Sequence, residues 1–323
     1  MACVQEPSLT VKPDAGELAD RLEQHRQELN AYCYRMLASS FEAEDAVQET
    51  FIRAWRGFER FEGRAALRSW LYRIATNVCL DMISGRERRA RPMDLGPAGE
   101  PVEANLHTLP EVTWIEPIPD PADDVVARET MRLAFIAALQ HLPPRQRAVL
   151  ILREVLRWKA AEVAELLETS VASVNSALQR ARATLEKSDV GASSAAADVD
   201  PALLARYVDA FERYDMDALT SLIHEDATQS MPPYDLWLRG RDDIFTWWVG
   251  PGAACRGSRV LPTVSANGSP AFGQYKPSTT GDGFEPWALQ VLEVEDGRIV
   301  ELTFFLDTDA LFPLFGLPTR LDS

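Results

Sequence analysis

The sequence lacks clustered cysteines and long apolar runs. Its 323 residues include 4 cysteines, scattered singly, with no Cys-x-x-Cys or Cys/His cluster. Isolated cysteines argue against structural zinc and for a reducing compartment, so we expect no metal, no cofactor and a cytoplasmic location. No stretch reaches the roughly 18 uninterrupted apolar residues of a membrane span. Residues 1–16 also lack the basic and apolar regions of a signal peptide.

The sequence is also short of basic residues. It has 33 Lys and Arg against 49 Asp and Glu, a net charge of −16, which for the whole chain disfavours nucleic-acid binding. The charge is uneven, however: −1 over residues 1–90, −7 over 91–130, +3 over 131–190 and −11 over 191–323. The first and third segments can therefore approach phosphates.

Two linkers are predicted from composition. Residues 91–130 contain seven prolines and no sustained periodicity, which indicates an extended, acidic, proline-rich linker. Residues 188–199 are small and polar and form a second linker. Three folded units are expected, at 18–90, 131–187 and 200–323.

The first unit contains two helical patterns. In one, Val47, Phe51, Trp55 and Phe58 form an apolar stripe. The face beside it is either an ordinary solvated face or a partner surface, and it carries Asp45, Gln48, Glu49 and Arg53.

The second pattern follows a loop at 59–66. Its core stripe is Leu67, Leu71, Ile74 and Val78, and the other face interleaves aromatic and basic residues, with more arginines at the end: Trp70, Arg73, Asn77, Arg86, Arg88 and Arg89. Rings that stack bases and guanidiniums that follow phosphates suit single-stranded DNA. The alternative is that the rings belong to the core and the arginines only solubilise the helix.

The second unit has helix-turn-helix spacing. In its last helix, Val171, Val174, Leu178, Ala181 and Leu185 are expected to face inward, with Thr169 or Ser170 as N-cap. The opposite face and its flanks are polar: Ser173, Asn175, Ser176, Gln179, Arg180 and Arg182. Such side chains can bond base edges or phosphates from the major groove. An ordinary surface helix in an αα-hairpin remains the alternative.

Segments 42–55, 61–81 and 142–185 together resemble regions two and four of the group 4, or extracytoplasmic-function, sigma factors of bacterial RNA polymerase. The resemblance implies a helical bundle and a helix-turn-helix domain, which bind core polymerase (β′ clamp and β flap) and promoter DNA. The linker between them is longer and richer in proline than many members of this class carry, which leaves its path through the polymerase in doubt.

The resemblance also implies residue roles. Polymerase docking falls to Asp45, Gln48, Glu49 and Trp55. Capture and melting of the −10 element fall to Phe61, Glu62, Gly63, Arg64, Trp70, Arg73, Asn77, Arg86, Arg88 and Arg89. Reading of the −35 element falls to Ser173, Asn175, Ser176, Gln179, Arg180 and Arg182.

The third unit has helices followed by a strand meander, with a hairpin at Asp296-Gly297. It resembles the SnoaL-like members of the NTF2-like α+β fold, a curved sheet around a cone-shaped pocket. The candidate pocket residues are Tyr234, Trp237, Trp247, Trp248 and Asp307, and the candidate acid–base residues are His224, Asp226, Asp235 and Asp307. His224 is more often a helix-end residue than a base, and an aromatic pair such as Trp247-Trp248 is more often core.

The sequence therefore predicts a non-enzymatic sigma factor, monomeric when free, whose acidic tail contacts the sigma domains and modulates their activity. Two alternatives remain open at this stage. One is a polymerase-independent helix-turn-helix regulator with a ligand-sensing tail, and the other is an enzyme carried on a DNA-binding module.

Overall fold

The computed structural model describes residues 15–58, 61, 66–120, 130–186, 199–279 and 281–322. Internal contacts divide the chain into two compact units. The helical unit comprises residues 1–87 and 138–189, and the tail unit comprises 88–137 and 190–323. No helix of the described segments is long and apolar enough to cross a membrane. Within these same segments no group of His, Cys, Asp and Glu could hold a metal ion.

The first half of the helical unit is a bundle of four helices: α1 (Ala15–Glu23), α2 (Arg26–Leu37), α3 (Ser40–Gly57) and α4 (Leu67–Ile83). The hydroxyl of Ser39 caps α3 by accepting a 3.1 Å bond from the Glu42 amide. The centre is aromatic, because Tyr32 and Tyr72 are fully buried and their rings meet edge to face at 5.1 Å.

Helix α5 (Leu133–Gln140) runs across the boundary between the two units at residue 138. The second half of the helical unit then contains α6 (Pro144–Leu150), a π-helical turn at Ile151–Val155, α7 (Ala160–Leu166) and α8 (Val171–Leu185). Ser170 caps α8 through a 3.1 Å bond from the Ser173 amide. Val174, Leu178 and Ala181 are buried, as the periodicity predicted, but Val171 is 43% exposed. It is the first residue of α8.

A buried arginine joins the two halves. Arg147 on α6 is 3% exposed, and its guanidinium donates to the backbone oxygen of Met36 at the end of α2 and to the side chain of Gln140. It also donates to two backbone oxygens, at 3.2 and 3.3 Å. Burial lowers the pKa of Arg147 to about 10, because the charged form is removed from water. Carbonyl oxygens of Met36, Gln140 and Leu142 accept from the charged group.

Aromatic stacking completes this contact. The ring of Trp158, between the π-helical turn and α7, lies 5.1 Å from the ring of Tyr72 on α4. The guanidinium of Arg68 lies over both rings, 5.2 and 5.5 Å from their centroids. It also donates a 2.8 Å bond to Glu28. The two halves therefore share one interior rather than being separate bodies.

The tail unit is built on a six-stranded mixed sheet: β1 (Ile223–Ser230), β2 (Trp237–Arg239), β3 (Arg259–Pro262), β4 (Ala271–Pro277), β5 (Phe284–Glu295) and β6 (Arg298–Phe305). The strand order is β2-β1-β6-β5-β4-β3, with β1 and β6 parallel and the other pairs antiparallel. Asp296 and Gly297 both take positive φ and form the predicted β5–β6 hairpin.

Four helices accompany the sheet: α9 (Pro201–Glu212), α10 (Met216–Leu222), α11 (Arg241–Val249) and α12 (Thr308–Leu314). α9, α10 and α11 bury Tyr207, Leu219 and Ile244 against the sheet. Beneath them, Tyr207 donates to Gln290, Gln290 to Gln274 and Gln274 to Ser258, at 2.9, 2.9 and 3.1 Å. The α+β layout agrees with the sequence prediction.

The proline-rich segment differs from its prediction. Residues 88–120, here called the strap, are not a free tether but pack on the tail sheet and contain three 3₁₀ turns. The reason is its apolar side chains: Trp114 and Ile115 are 4% and 2% exposed, and Leu106 packs on the tail core. Composition did not reveal these few apolar residues, because prolines and acidic residues dominate the segment.

The strap pairs with the β2 edge of the sheet. The Gly99 amide donates to the Trp237 carbonyl, and the Trp237 indole donates to the Gly96 carbonyl, both at 2.9 Å. Further along, Thr108 and Tyr234 form an antiparallel bridge. An edge strand exposes unpaired backbone groups, and the strap satisfies them.

Asn267 holds the far end of the strap. Its side-chain oxygen accepts from the Ile118 amide at 3.0 Å, and its side-chain nitrogen donates to the Met131 carbonyl at 2.6 Å. The residue is fully buried and has a positive φ of 53°, a conformation that asparagine tolerates better than most residues. One side chain therefore binds the chain on both sides of residues 121–129.

Replacing Asn267 by Gly removes both side-chain bonds and keeps the backbone conformation. Each buried group left unpaired costs about 1–3 kcal/mol, so we expect amide hydrogen exchange around Ile118 to accelerate by about tenfold or more. Mass-spectrometric exchange measures this. Asp296→Gly is the matched control, because it also replaces a positive-φ residue (48°) but lies at the β5–β6 turn. Unchanged strap exchange in Asn267→Gly contradicts the clamp.

Replacing Arg147 by Lys keeps a positive charge but not the planar fork that reaches several carbonyls at once. We expect the free energy of unfolding of the helical unit to fall by about 2 kcal/mol, measured by urea denaturation. Arg145→Lys, at an exposed position on the same helix, should change it by less than about 0.5 kcal/mol. Equal effects of the two variants would show that the buried guanidinium does not hold the halves together.

Candidate functional site

Helix α3 presents an exposed apolar face. Phe41, Ile52 and Trp55 are 37%, 44% and 46% exposed, and Asp45 and Gln48 lie exposed between them. The spacing of these five positions places them along one side of the helix. The predicted stripe is therefore not simply core, because the buried side of α3 consists of small residues, Ala43, Ala46 and Ala54 among them.

Two of these apolar residues were missed from the sequence. Phe41 and Ile52 extend the surface that Trp55 and its polar neighbours form, and the signal was their three- and four-residue spacing from Asp45, Gln48 and Trp55. Glu49 lies beside this line, half-buried, and accepts a 2.7 Å bond from Arg53. An exposed apolar patch with a polar rim is typical of a protein interface.

Helix α4 carries the predicted DNA-facing residues of the first half. Asn77 is exposed and Arg73 half-buried. The ring of Trp70 lies 4.8 Å from that of Phe61 and 6.4 Å from that of Phe58. These three rings form a small aromatic cluster at the start of the helix. Glu62, Gly63 and Arg64 lie outside the described residues.

The three arginines after α4 differ in their surroundings. Arg86 pairs with Glu42 and stays half exposed, and Arg88 is exposed. Arg89 is 8% exposed, donates a 2.6 Å bond to the Trp114 carbonyl and pairs with Glu116 at 3.2 Å. Arg89 is itself a strap residue and joins the start of the strap to Trp114 and Glu116, so in this state its guanidinium is not available to phosphates.

Arg73 also makes a contact across the helical unit. Its guanidinium donates a 3.3 Å bond to the backbone oxygen of Glu165, near the end of α7, and lies 4.0 Å from that residue's carboxylate. The helix-turn-helix half therefore abuts the face of α4 that carries the predicted −10 residues.

The outward face of α8 is polar and open. All six predicted −35 residues are exposed: Ser173, Asn175, Ser176, Gln179, Arg180 and Arg182. The hydroxyl of Ser173 bonds that of the capping Ser170 at 2.9 Å, and Arg182 pairs with Glu154 at 2.6 Å. Exposed short polar side chains with arginines behind them fit the major groove.

The tail unit contains one further candidate, a cleft between α10, α11 and the sheet. Trp247 and Trp248 line it, together with the rings of Phe211, Tyr214, Trp287 and Phe304. The other candidates lie elsewhere: Trp237 bonds the strap, Tyr234 pairs with it, and Asp307 is exposed at the start of α12. The cleft lining contains no Asp, Glu, His, Lys or Arg from the described residues.

The predicted acid–base residues also lie away from the cleft lining. His224 accepts a 3.1 Å bond from the Asp226 amide, and Asp235 pairs with His107 of the strap at 3.5 Å. These residues order the backbone of the tail unit and do not face a common substrate position.

Comparison with known proteins places these features in a family. Three family models match: Sigma-70 region 2 at residues 22–89, Sigma-70 region 4 at 132–185 and a SnoaL-like domain at 204–302. The chain is 47% identical to the ECF RNA polymerase sigma factor SigG of Mycobacterium tuberculosis, over 95% of this chain and 85% of that protein. It is 29% identical to SigJ of the same species, over 86% and 88% of the two chains.

The crystal structure of M. tuberculosis SigJ shows the same fold. It aligns with a TM-score of 0.59 and 24% identity over 93% of this chain and 99% of that one. Together, the three family models, the identity over nearly the whole chain and the shared fold lead to one conclusion. The chain belongs to the extracytoplasmic-function sigma factors of RNA polymerase and carries a C-terminal SnoaL-like domain.

Proposed function

We propose that this sigma factor docks on core polymerase through the exposed face of α3. We also propose that its tail unit binds the strap and so keeps the sigma domains in a closed state. The observation that carries the second part is the attachment of residues 88–120 to the tail sheet. The face of α3 supports the first part, since Trp55, Ile52 and Phe41 lie exposed where burial would stabilise them.

Promoter recognition follows from the two DNA-facing helices. The aromatic cluster of Phe58, Phe61 and Trp70, with Arg73 and Asn77 beyond it, suits an unstacked single strand at the −10 element. The exposed polar face of α8 suits the −35 element as duplex. Arg86 and Arg88 add charge near the first of these surfaces.

The closed state cannot bind both elements at once. Elements near −10 and −35 are about 25 base pairs apart, roughly 85 Å at about 3.4 Å per base pair. In the helical unit, however, Arg73 of the −10 surface bonds Glu165 of the helix-turn-helix half. The halves must therefore separate, which exposes the contacts of Arg147 and Trp158.

Separation also requires the strap. Residues 91–130 connect the two halves and would span up to roughly 130 Å if extended, but the strap is held along the tail sheet by Gly99, Thr108 and Ile118. Release of the strap from the tail sheet would free enough chain to span the distance between the −10 and −35 elements. This route to tail-dependent control adds to the contact between residues 200–323 and the sigma domains, which stays a prediction.

Trp55→Ala should weaken binding to core polymerase by about tenfold or more, because central aromatic residues dominate interface energies. Its half-exposed side chain contributes little to stability. Binding of the full chain to purified core enzyme is the measurement. Val264→Ala, at a 53% exposed position of the tail, is the control and should bind normally. Normal binding by Trp55→Ala would remove α3 as the docking face.

Asn267→Gly should raise run-off transcription from a cognate promoter when sigma factor is limiting, because a weakened clamp releases the strap more readily. Asp296→Gly should leave transcription unchanged. If the strap exchanges faster in Asn267→Gly but transcription does not rise, strap release does not limit activity.

A further inference from the structure

Two carboxylates lie opposite each other on the tail sheet, at the place where the strap begins. Glu293 on β5 and Glu301 on β6 are register partners, and their side chains are only 14% and 20% exposed. Like charges directly opposite on adjacent strands are destabilising, and burial adds the cost of removing them from water. This pair is therefore costly unless neighbouring groups, or a proton, offset its charge.

Glu293 is well compensated. Its carboxylate pairs with the guanidinium of Arg132 and accepts a 2.6 Å bond from the hydroxyl of Ser269. A cation and a hydrogen-bond donor both stabilise the ionised form of a carboxyl group. Glu293 is thus the member of the pair that keeps its charge.

Glu301 is paired more weakly, and its partner belongs to the strap. The Arg91 guanidinium lies 3.9 Å from it and is, among the described residues, the one cation within 4 Å. The same guanidinium donates a 3.3 Å bond to Asp94, which also accepts a 2.9 Å bond from the Arg91 amide. The Thr303 hydroxyl donates a 3.4 Å bond to Glu301. Arg91 is therefore shared between two carboxylates, and Asp94 is the closer of them.

The surroundings of Glu301 favour its protonated form while the strap is in place. Burial raises the pKa of Glu301 above its ordinary value, and the carboxylates of Glu293 and Asp94 raise it further, although Arg91 lowers it. On β1 the register partner of Glu301 is the uncharged Thr228. The strap therefore covers a carboxyl group that binds a proton more readily than an exposed glutamate does.

We propose that the strap closes over a proton held by Glu301, so that the strap binds the tail sheet more tightly at low pH than at high pH. In the open state water replaces the strap, and the carboxyl group ionises near its ordinary pKa of about 4.3. Above that pH only the closed state keeps the proton, and at still higher pH closure buries a charge. Attachment therefore weakens as pH rises, by at most about tenfold per pH unit.

Glu301→Gln replaces the carboxyl group by a neutral amide of similar shape and leaves the pairs Arg91–Asp94 and Arg132–Glu293 in place. The measurement is amide hydrogen exchange of the strap in the full chain, divided by the intrinsic exchange rate at each pH. We expect the ratio of strap protection, variant to wild type, to rise from about one at pH 5 to about threefold or more at pH 8.

Other titrating groups cancel in this ratio. His107 of the strap, when protonated, pairs with Asp235 of the tail at 3.5 Å, and the variant and the wild type both carry this pair. Glu225→Gln, at an exposed position of β1, is the matched control and should follow the wild type at every pH.

Two results overturn the proposal: strap protection in Glu301→Gln that does not exceed that of the wild type at pH 8, or a ratio that is the same at pH 5 and pH 8. If the variant does not fold, ¹³C NMR of the wild-type Glu301 carboxyl group decides. A titration midpoint at or below about 4.3 then overturns the proposal.

The link to activity rests on the proposed function, and run-off transcription at pH 8 separates the two. Tighter attachment of the strap should lower transcription by Glu301→Gln. Exchange that changes as expected while transcription stays at the wild-type level supports the bound proton and removes strap release as the limiting step.

Discussion

The attachment of the strap to the tail sheet is the constraint on which the rest of the account depends. Residues 88–120 join the two sigma halves in sequence, yet their hydrogen bonds and buried side chains belong to the tail unit. Trp114 and Ile115 supply the apolar burial, and Asn267 supplies the polar clamp. Since both halves are covalently tied to this segment, its release and the opening of the sigma domains are linked in the proposed function.

The helical unit shows why opening needs an input of free energy. Arg147 is buried and donates to carbonyl and amide oxygens, and the rings of Tyr72 and Trp158 are in contact. In the proposed docking on polymerase, burial of the exposed apolar face of α3 compensates for this cost. In this account, core binding and promoter spacing favour the open state, and the tail and the buried arginine favour the closed one.

Much of this architecture could be predicted from the sequence, because its patterns are local. Helix periodicity located α3, α4 and α8, and Asp296-Gly297 located the β5–β6 hairpin. The burial of Arg89 and the ordering of the strap could not be predicted, because both depend on partners distant in sequence, Trp114 and the β2 edge among them.

The two functional alternatives left open by the sequence differ from what the relatives show. SigG and SigJ are named as sigma factors of RNA polymerase, and they align with most of this chain, including the tail. The SnoaL-like unit is thus part of the sigma factor's architecture.

The central claim, that the strap must leave the tail for the factor to act, is tested most directly by locking it in place. Thr108 and Tyr234 are bridge partners across the strap and the tail, so cysteines at both positions should form a disulfide on oxidation. With core polymerase and a cognate promoter, we expect the oxidised double variant to lose run-off transcription and to regain it on reduction. Oxidation and reduction should not change run-off transcription by the wild-type chain. Equal transcription by the oxidised and reduced double variant, with the disulfide verified by mass spectrometry, would contradict the account.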